Sequence, residues 1–212
     1  MPAGSGPTDP DDYIGQKRAV DTRLAILQQG ARLFSAKGFD GCSTREIAAA
    51  AGVSHANVRY HFGDKETLWL KVIQHLIAEA YQGREIIADI KSGSSIAHDF
   101  REHTRNAIRY YAYHPELPRM ILFENLTNSD RLDKIKSVMS EAYEQRFESI
   151  RVMQEAGVIK DIDTRLLNEI VEGALAYKFV LSSDIDRSDT EELDRLIDEF
   201  TDVIVQLVQN ET

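Results

Sequence analysis

The chain has 212 residues and a mass of 24.0 kDa, and its 25 basic and 35 acidic residues give a net charge of −10. Hydrophobic residues make up 42%, enough to bury a core, which excludes a wholly disordered protein. The acidic total argues against a protein that covers nucleic acid with its whole surface.

The sequence lacks cysteine pairs, long apolar runs and clusters of metal ligands, and this bears on the compartment and on cofactors. The single cysteine, Cys42, cannot form an internal disulfide, which favours a reducing, cytoplasmic location. No apolar run reaches about 18 residues, so we expect no membrane span and no membrane partner. No cluster has the spacing of metal ligands, and we expect neither a metal nor another cofactor.

The start of the chain predicts a flexible tail and then short helices. Residues 1–16 contain Pro, Gly and Asp without an apolar core, which is typical of a tail. Apolar residues recur at helical spacing from Val20 to Lys37, and Gly38 ends this first helix. Ser43 and Glu46 stand at capping-box spacing, so a short second helix begins there.

A tight turn at Gly52 follows the second helix. Ser54 can cap a third helix that runs through Tyr60. A fourth helix begins at Lys65 and continues to about Gly83. Three helices joined by short turns therefore precede a longer one.

The rest of the chain predicts five further helices and no strand, because no alternation of apolar and polar residues competes with the helical spacing. We therefore predict an all-α protein with about nine helices. The expected later helices are a fifth capped by Ser94 or Ser95, a sixth from Pro115 to Leu126, a seventh from Asp130 to Ala156, an eighth opened by Asp163, and a ninth from a capping box at Ser188 and Glu191 to Val208.

Charge is divided unevenly along the chain. Residues 17–71 hold nine Lys and Arg against five Asp and Glu, a net charge of +4. The preceding residues contribute −3 and the following residues −11. The basic segment coincides with the short helices, and a basic patch is what attraction to phosphates requires.

The second and third helices have the spacing of a helix-turn-helix, whose second member lies in the major groove of DNA. Apolar residues can lock the pair together: Ile47, Ala48, Ala51, Val53 and Val58. The side chains left to face outward on the third helix are small, polar or aromatic: His55, Ala56, Asn57, Arg59 and Tyr60. We take His55 and Asn57 as the main base readers, because asparagine can pair bidentately with adenine.

The stretch STREIAAAAGVSHANVRYHFGDKETL closely resembles the DNA-binding signature of TetR-type transcriptional regulators. The resemblance implies an N-terminal three-helix DNA-binding domain followed by a helical domain for effector binding and dimerisation. We accordingly divide the chain into a tail (1–16), a DNA-binding domain (17–64) and an effector and dimerisation domain (65–212), with helix 65–83 linking the last two.

The resemblance also implies the DNA contacts. It places Thr44 and Lys65 at helix starts that face the DNA backbone, where helix N-termini favour phosphate. Arg59 stands where the family commonly has tyrosine, and it can contact the backbone or read guanine. The full predicted contact set is Thr44, Arg45, Ser54, His55, Ala56, Asn57, Arg59, Tyr60, His61 and Lys65.

The last two helices carry apolar stripes wider than a monomeric surface helix needs. Gly173 lies inside one of them and permits close approach of another helix. We predict a homodimer through these helices, with double-stranded DNA bound at a near-palindromic operator. The predicted interface comprises Leu167, Ile170, Val171, Gly173, Ala174, Phe179, Leu196, Phe200, Val203, Ile204 and Leu207.

The resemblance implies a pocket for a small-molecule effector in the helices from the fourth onward. Candidate lining residues are aromatic or polar: Trp69, Phe100, His103, Tyr110, Tyr111, Phe123, Asn125, Tyr143, Phe147 and Tyr177. Such residues also form ordinary cores, and the sequence does not identify the effector.

The function predicted is a DNA-binding transcriptional repressor released by its effector. An activator or a chromosome-organising protein of the same fold stays open as an alternative, as does a helical adaptor that binds only proteins. We do not expect an enzyme, because the sequence has no nucleophile-elbow motif, phosphate-binding glycine loop or paired metal ligands.

Overall fold

The computed structural model describes residues 10–81, 96–127, 129–182 and 184–210, and within them it contains nine α-helices and no strand. The all-α prediction is therefore confirmed. The helices are α1 (Pro10–Lys37), α2 (Thr44–Ala50), α3 (His55–Phe62), α4 (Lys65–Tyr81), α5 (Ile96–Tyr113), α6 (Glu116–Leu126), α7 (Arg131–Glu155), α8 (Thr164–Ala176) and α9 (Thr190–Val208). None of them is both long and apolar enough to cross a membrane.

Helix α1 begins earlier than the sequence analysis predicted. It starts at Pro10 rather than near Val20, so residues 10–16 are helical and not part of a flexible tail. Proline is well accepted in the first turn of a helix, because its missing N–H would lack a partner there in any case. The predicted end of the fourth helix at Gly83 and the caps Ser94 and Ser95 lie outside the described residues.

The predicted cap of the ninth helix is wrong by one residue. Both the backbone N–H and the hydroxyl of Ser188 donate to Asp186 Oδ1, at 2.8 and 2.6 Å, so Ser188 is held in the preceding turn. Asp189 caps the helix instead, since its Oδ1 accepts the backbone N–H of Glu192 at 3.0 Å. An aspartate cap serves the exposed N–H groups as well as serine does.

Helix α8 continues as a single π-helical turn over Tyr177–Leu181, which the sequence pattern did not predict. The wider turn is visible in the bond from Ser182 N to Tyr177 O at 3.0 Å. Phe179 is fully buried within it, while Tyr177 is 72% exposed. The π-turn therefore changes which side chains of this segment face the core.

The chain divides into two compact units, Met1–Leu76 and Ile77–Thr212. The described core of the first unit is built from large buried side chains, among them Ile26, Phe34, Ile47, Leu68 and Trp69. Phe39 stacks on Phe34 and meets the Trp69 ring edge-on. This core holds the short helices α2 and α3 against α1 and α4.

In the second unit, helices α5 and α9 pack side by side and are joined by a ladder of ion pairs. Arginines spaced one turn apart on α5 meet aspartates spaced one turn apart on α9. The pairs are Arg101 with Asp202 at 2.7 Å, Arg105 with Asp198 at 2.5 Å and Arg109 with Asp194 at 3.4 Å. The two helices are antiparallel, so the lower number on one pairs with the higher number on the other.

Candidate functional site

The turn between α2 and α3 is built from local sequence signals. The predicted capping box is present at the start of α2: Ser43 Oγ accepts from Glu46 N at 3.2 Å, and Ser43 N donates to Glu46 Oε2 at 2.8 Å. After α2, Gly52 takes a positive φ of 67°. This left-handed conformation favours glycine and lets Val53 N donate to Ala48 O at 3.0 Å, which ends the helix.

Four apolar side chains lock α2 and α3 together. Ile47 is 0%, Ala48 2%, Val58 2% and Phe62 4% exposed, so each is part of the core of the first unit. Ser54 then caps α3, with its Oγ accepting from Asn57 N at 3.2 Å. These contacts fix the rotation of α3 and thereby decide which of its residues face outward.

The outward face of α3 carries the predicted DNA-contacting residues. Ala56, Asn57 and Arg59 are exposed, and Tyr60 is 84% exposed although it is a large aromatic residue. His61 is half-buried, and its ring centroid lies 5.1 Å from that of Tyr60. An amide, a guanidinium and a phenol are thus presented together on a rigid helix, and all three groups can bind base edges or phosphates.

The first residues of α2 and α3 contact each other. Thr44 Oγ1 lies 3.1 Å from His55 Nε2, and both side chains are half-buried. The hydroxyl and the ring nitrogen can exchange donor and acceptor roles with the histidine tautomer. This contact joins the two helix starts that were predicted to approach DNA, and it was not predicted from the residue pattern.

Basic side chains surround this face. Arg45 is exposed on α2, and Lys65, the first residue of α4, holds its Nζ 4.3 Å from the centre of the Phe39 ring. Lys37 instead pairs with Glu46 at 2.9 Å. Arg45 is therefore oriented toward solvent, whereas Lys65 is positioned by a cation–π contact.

The pKa of Glu46 is lowered to about 2, first by the hydrogen bond from Lys37 and then by those from Ser43. The same Glu46 contact raises the pKa of Lys37. Both groups are therefore charged across the physiological range, and Glu46 neutralises one basic residue of the segment. A carboxylate in the first turn also suits the helix dipole of α2.

The second unit contains a cavity of about 210 Å³ between α5, α7, α8 and α9. Its walls are mostly apolar, which suits a small organic ligand. Its apolar lining residues are Phe100, Ala107, Ile108, Tyr111, Ile150, Met153, Ile159, Leu167, Val171, Leu175, Ile204 and Val208, and its polar ones are His103, Thr104, Gln145, Arg146, Ser149, Asn168 and Glu172.

Only Phe100, His103 and Tyr111 of the residues predicted to line an effector pocket border this cavity. The others need correction, because side chains typical of a pocket also serve in cores and on surfaces. Trp69 is 1% exposed in the core of the first unit, and Tyr177 is 72% exposed. The remaining ones lie away from the lining: Tyr110 stacks on His114, Tyr143 stacks on Phe147, Phe123 is 37% exposed, and Asn125 donates to Ile121 O.

Arg146, Asn168 and Glu172 form a polar group in the cavity, and none of the three was predicted as a pocket residue. Arg146 Nη1 donates to Asn168 Oδ1 at 3.1 Å and also to Glu172 Oε1. Asn168 and Glu172 stand four residues apart and so share one side of α8. Two polar residues four apart on one helix, with an arginine on the preceding helix, are the pattern from which this group could have been predicted.

The residues predicted for a dimer interface fall into three groups. Ile170, Gly173, Ala174, Val203 and Leu207 are exposed, and Val171, Leu196 and Phe200 are half-buried. Leu167, Phe179 and Ile204 are instead buried inside their own protomer, at 8%, 0% and 9% exposure. The prediction was wrong for these three, because the wide stripes on α8 and α9 include a core-facing side as well as an exposed one.

Further apolar side chains of the α8 segment are exposed although they were not predicted to lie at the interface. Leu166 is 51% and Leu181 59% exposed, close to the 59% of Ile170. On α9, Val203 and Leu207 are 55% and 62% exposed. So many large apolar side chains exposed on two helices are typical of a surface that another protein covers.

Helix α2 packs against α3 through apolar side chains and leaves one face of α3 exposed to solvent. This arrangement is typical of helix-turn-helix proteins. Residues 26–72 match the family model described as bacterial regulatory proteins, tetR family. The chain is 32% identical over 130 residues to the probable HTH-type transcriptional regulator YttP of Bacillus subtilis, covering 58% of this chain and 61% of that one. It is 27% identical over 155 residues to the HTH-type transcriptional repressor NicS of Pseudomonas putida, covering 70% of each.

Among solved structures, a TetR family transcription regulator from Marinobacter aquaeolei VT8 has the same fold, with a TM-score of 0.67, 18% identity and coverage of 92% of this chain and 100% of that one. The match to YttP spans less than two thirds of that relative's length. The N-terminal helices thus match the tetR family model, and the described chain has the fold of a solved TetR family regulator.

Proposed function

We propose that this protein is a sequence-specific transcriptional repressor that binds DNA as a homodimer and leaves its operator when a small molecule occupies the cavity. The observation that carries the proposal is the outward face of α3, on which Asn57, Arg59 and Tyr60 are exposed while Val58 and Phe62 anchor the helix. An aromatic side chain exposed to 84% in a well-packed unit supports a binding surface.

In this proposal α3 enters the major groove. Asn57 and His55 read base edges, with the amide suited to adenine, and Arg59 reads guanine or holds the backbone. Thr44, Arg45, Tyr60, His61 and Lys65 contact phosphates and set the register of the helix. Ser54 and Ala56, at the start of α3, complete the contact surface and allow close approach to the groove.

A homodimer would present two copies of α3 related by two-fold symmetry. The exposed apolar side chains of α8 and α9, among them Ile170, Val203 and Leu207, supply the surface for that association. Two recognition helices then read half-sites about 34 Å apart, or a multiple of that distance, which calls for a near-palindromic operator. Gly173 is exposed on α8, and no atom lies within 4 Å of where a Cβ would be, so a partner helix can approach closely there.

The cavity serves as the effector site, and residues 65–212 form the effector and dimerisation domain in this scheme. An effector that prefers the DNA-free conformation shifts the population of dimers away from the operator. Linkage then requires that operator DNA weaken effector binding by the same factor. The residues 17–64 act as the DNA-binding domain, and the protein works in the cytoplasm.

Selection from a random library of double-stranded DNA tests this function. The wild type should enrich a near-palindromic sequence, and Asn57→Ala should relax the preference at one symmetric pair of base steps. Asn106→Ala is the matched control, because Asn106 is also exposed but lies on α5 in the second unit. Failure of the wild type to enrich any sequence would instead favour an adaptor that binds only proteins.

Mapping of bound sites against transcript levels separates a repressor from an activator or a chromosome-organising protein. For a repressor, deletion of the gene should raise transcripts whose promoters carry the selected sequence. Lowered transcripts would indicate an activator, and unchanged transcripts at many occupied sites would indicate a role in chromosome organisation.

A further inference from the structure

The cavity of the second unit has mostly apolar walls, and three of its seven polar lining residues form a hydrogen-bonded group whose chemistry restricts the ligand. Arg146 projects from α7, and Asn168 and Glu172 project from consecutive turns of α8. All three line the cavity, together with apolar residues such as Phe100 and Leu175. A ligand inside therefore meets mostly apolar residues, and on one side it can meet this polar group.

The charges of the polar group cancel. Arg146 and Glu172 form an ion pair, and their side chains are only 26% and 27% exposed. A carboxylate ligand would compete with Glu172 for the guanidinium, and an ammonium ligand would compete with Arg146 for the carboxylate. Either would bring an additional charge into a largely apolar space, which costs more than its new contact returns. The ion pair thus favours an uncharged ligand.

The orientation of the Asn168 amide follows from its partner. A guanidinium can only donate hydrogen bonds, so the Asn168 atom 3.1 Å from Arg146 Nη1 must be the oxygen. The other terminal atom of the amide is then the nitrogen, which carries two N–H donors. Glu172 accepts from Arg146 through Oε1, and its second carboxylate oxygen, Oε2, is a further acceptor.

We propose that the cavity binds a small uncharged molecule with an apolar body and one amide-type group, whose carbonyl accepts from Asn168 Nδ2 and whose N–H donates to Glu172 Oε2. This inference rests on the proposed function in taking the ligand as the effector. It goes further by fixing the chemical class.

A donor and an acceptor on neighbouring turns favour an amide over other uncharged groups. Donor and acceptor stand one helical turn apart on the same side of α8, so one planar group can reach both. An amide carries its donor and its acceptor on separate atoms, whereas a hydroxyl would have to contact both partners through one oxygen, and a hydrocarbon would leave both without a partner. Leaving buried polar groups unpaired costs a binding site much more than a missing apolar contact does.

Calorimetry on the full-length, DNA-free protein tests the proposal with three probes of one length: octanamide, octanoate and octylamine at pH 8. Octanamide should bind at least about tenfold more tightly than either charged probe. Asn168→Leu, which keeps the side-chain size, should weaken octanamide binding about tenfold and leave octanoate nearly unchanged. Tighter binding of octanoate or octylamine, or no binding of any probe, would overturn the proposal.

A second variant separates a role in recognition from a role in folding. Glu172→Gln removes the charge that balances Arg146, so octanoate should gain affinity while octanamide loses it. A general loss of folding cannot produce such an inversion. Glu144→Gln, at an exposed position of α7 outside the cavity, is the control and should change the affinity for neither probe. Equal changes for both probes in Glu172→Gln would contradict the assignment.

The failure of this inference can be told apart from failure of the proposed function. If octanamide binds as expected but does not weaken operator binding, the ligand class stands and the effector role fails. If the protein binds its operator and octanoate is the preferred probe, the repressor stands and the ligand class fails.

Discussion

The Thr44 hydroxyl oxygen lies 3.1 Å from Nε2 of His55, so the first residues of α2 and α3 are joined directly. Thr44→Val removes the hydroxyl and keeps the shape of the side chain. Because the proposed phosphate contact and the support for His55 are both lost, operator affinity should fall by about 1 to 2 kcal/mol. Titration of labelled operator measures this, and Thr190→Val, at the exposed first residue of α9, is the control. Equal affinity of Thr44→Val and wild type would remove Thr44 from the interface.

The turn between α2 and α3 depends on the backbone of Gly52. Its φ of +67° strains any residue with a Cβ, although no atom lies within 4 Å of where that Cβ would be. Gly52→Ala should therefore lower the free energy of unfolding by about 1 to 2 kcal/mol through backbone strain alone. Gly52→Asn should lose less, since asparagine tolerates this conformation. Equal losses in chemical denaturation would indicate another cause.

The exposed apolar residues of α8 make the homodimer testable. Ile170→Glu places a charge on the proposed interface, so the dimer should dissociate into folded monomers at micromolar concentration. Leu126→Glu is the matched control, because Leu126 is 80% exposed on α6, away from the predicted interface. Sedimentation equilibrium gives the masses. A dimeric Ile170→Glu, or a monomeric wild type, would contradict the proposed assembly.

The pair of Arg105 and Asp198 in the ladder between α5 and α9 should contribute little at neutral pH. Asp198 is 44% exposed, and a double-mutant cycle with Arg105→Leu and Asp198→Asn should give a coupling below about 1 kcal/mol that shrinks with added salt. If the coupling free energy does not change with salt concentration, the pair is not screened by solvent ions, which would contradict the expectation for an exposed pair.

The pH dependence of the same pair has a definite sign. The hydrogen bond from Arg105 lowers the pKa of Asp198 below its ordinary value of 3.8. A lowered pKa in the folded state means that the stabilisation is present above the ordinary value and is lost as the pH falls through the folded value. Acid unfolding should therefore be steeper in the wild type than in Asp198→Asn. Identical acid profiles would contradict the pKa shift.

Local signals predicted the first unit well. Ser43, Ser54 and Gly52 act through neighbours within a few residues, so caps and turns could be derived from spacing. Side-chain burial on α8 and α9 could not be derived in this way, since Phe179 and Ile170 both belong to apolar stripes but face different sides. The π-turn at Tyr177 adds a rotation that no residue pattern predicts.

The cavity and the ladder needed three-dimensional information. Arg146 and Glu172 come from different helices, and their pairing depends on how α7 and α8 pack. Trp69 shows the opposite error, because a large aromatic residue that suits a ligand pocket also suits a core. The sequence could indicate which types of residue a site needs, but not which particular residues of each type come into contact in the folded chain.

The central claim is that the exposed face of α3 reads DNA, and binding of the selected operator across a series of salt concentrations tests it most directly. Asn57→Ala should cost about 1 to 3 kcal/mol with an unchanged salt slope. Lys65→Ala should weaken operator and random DNA alike and reduce the slope by about 1. Isotherms of both variants that superimpose on the wild type at every salt concentration would contradict the claim.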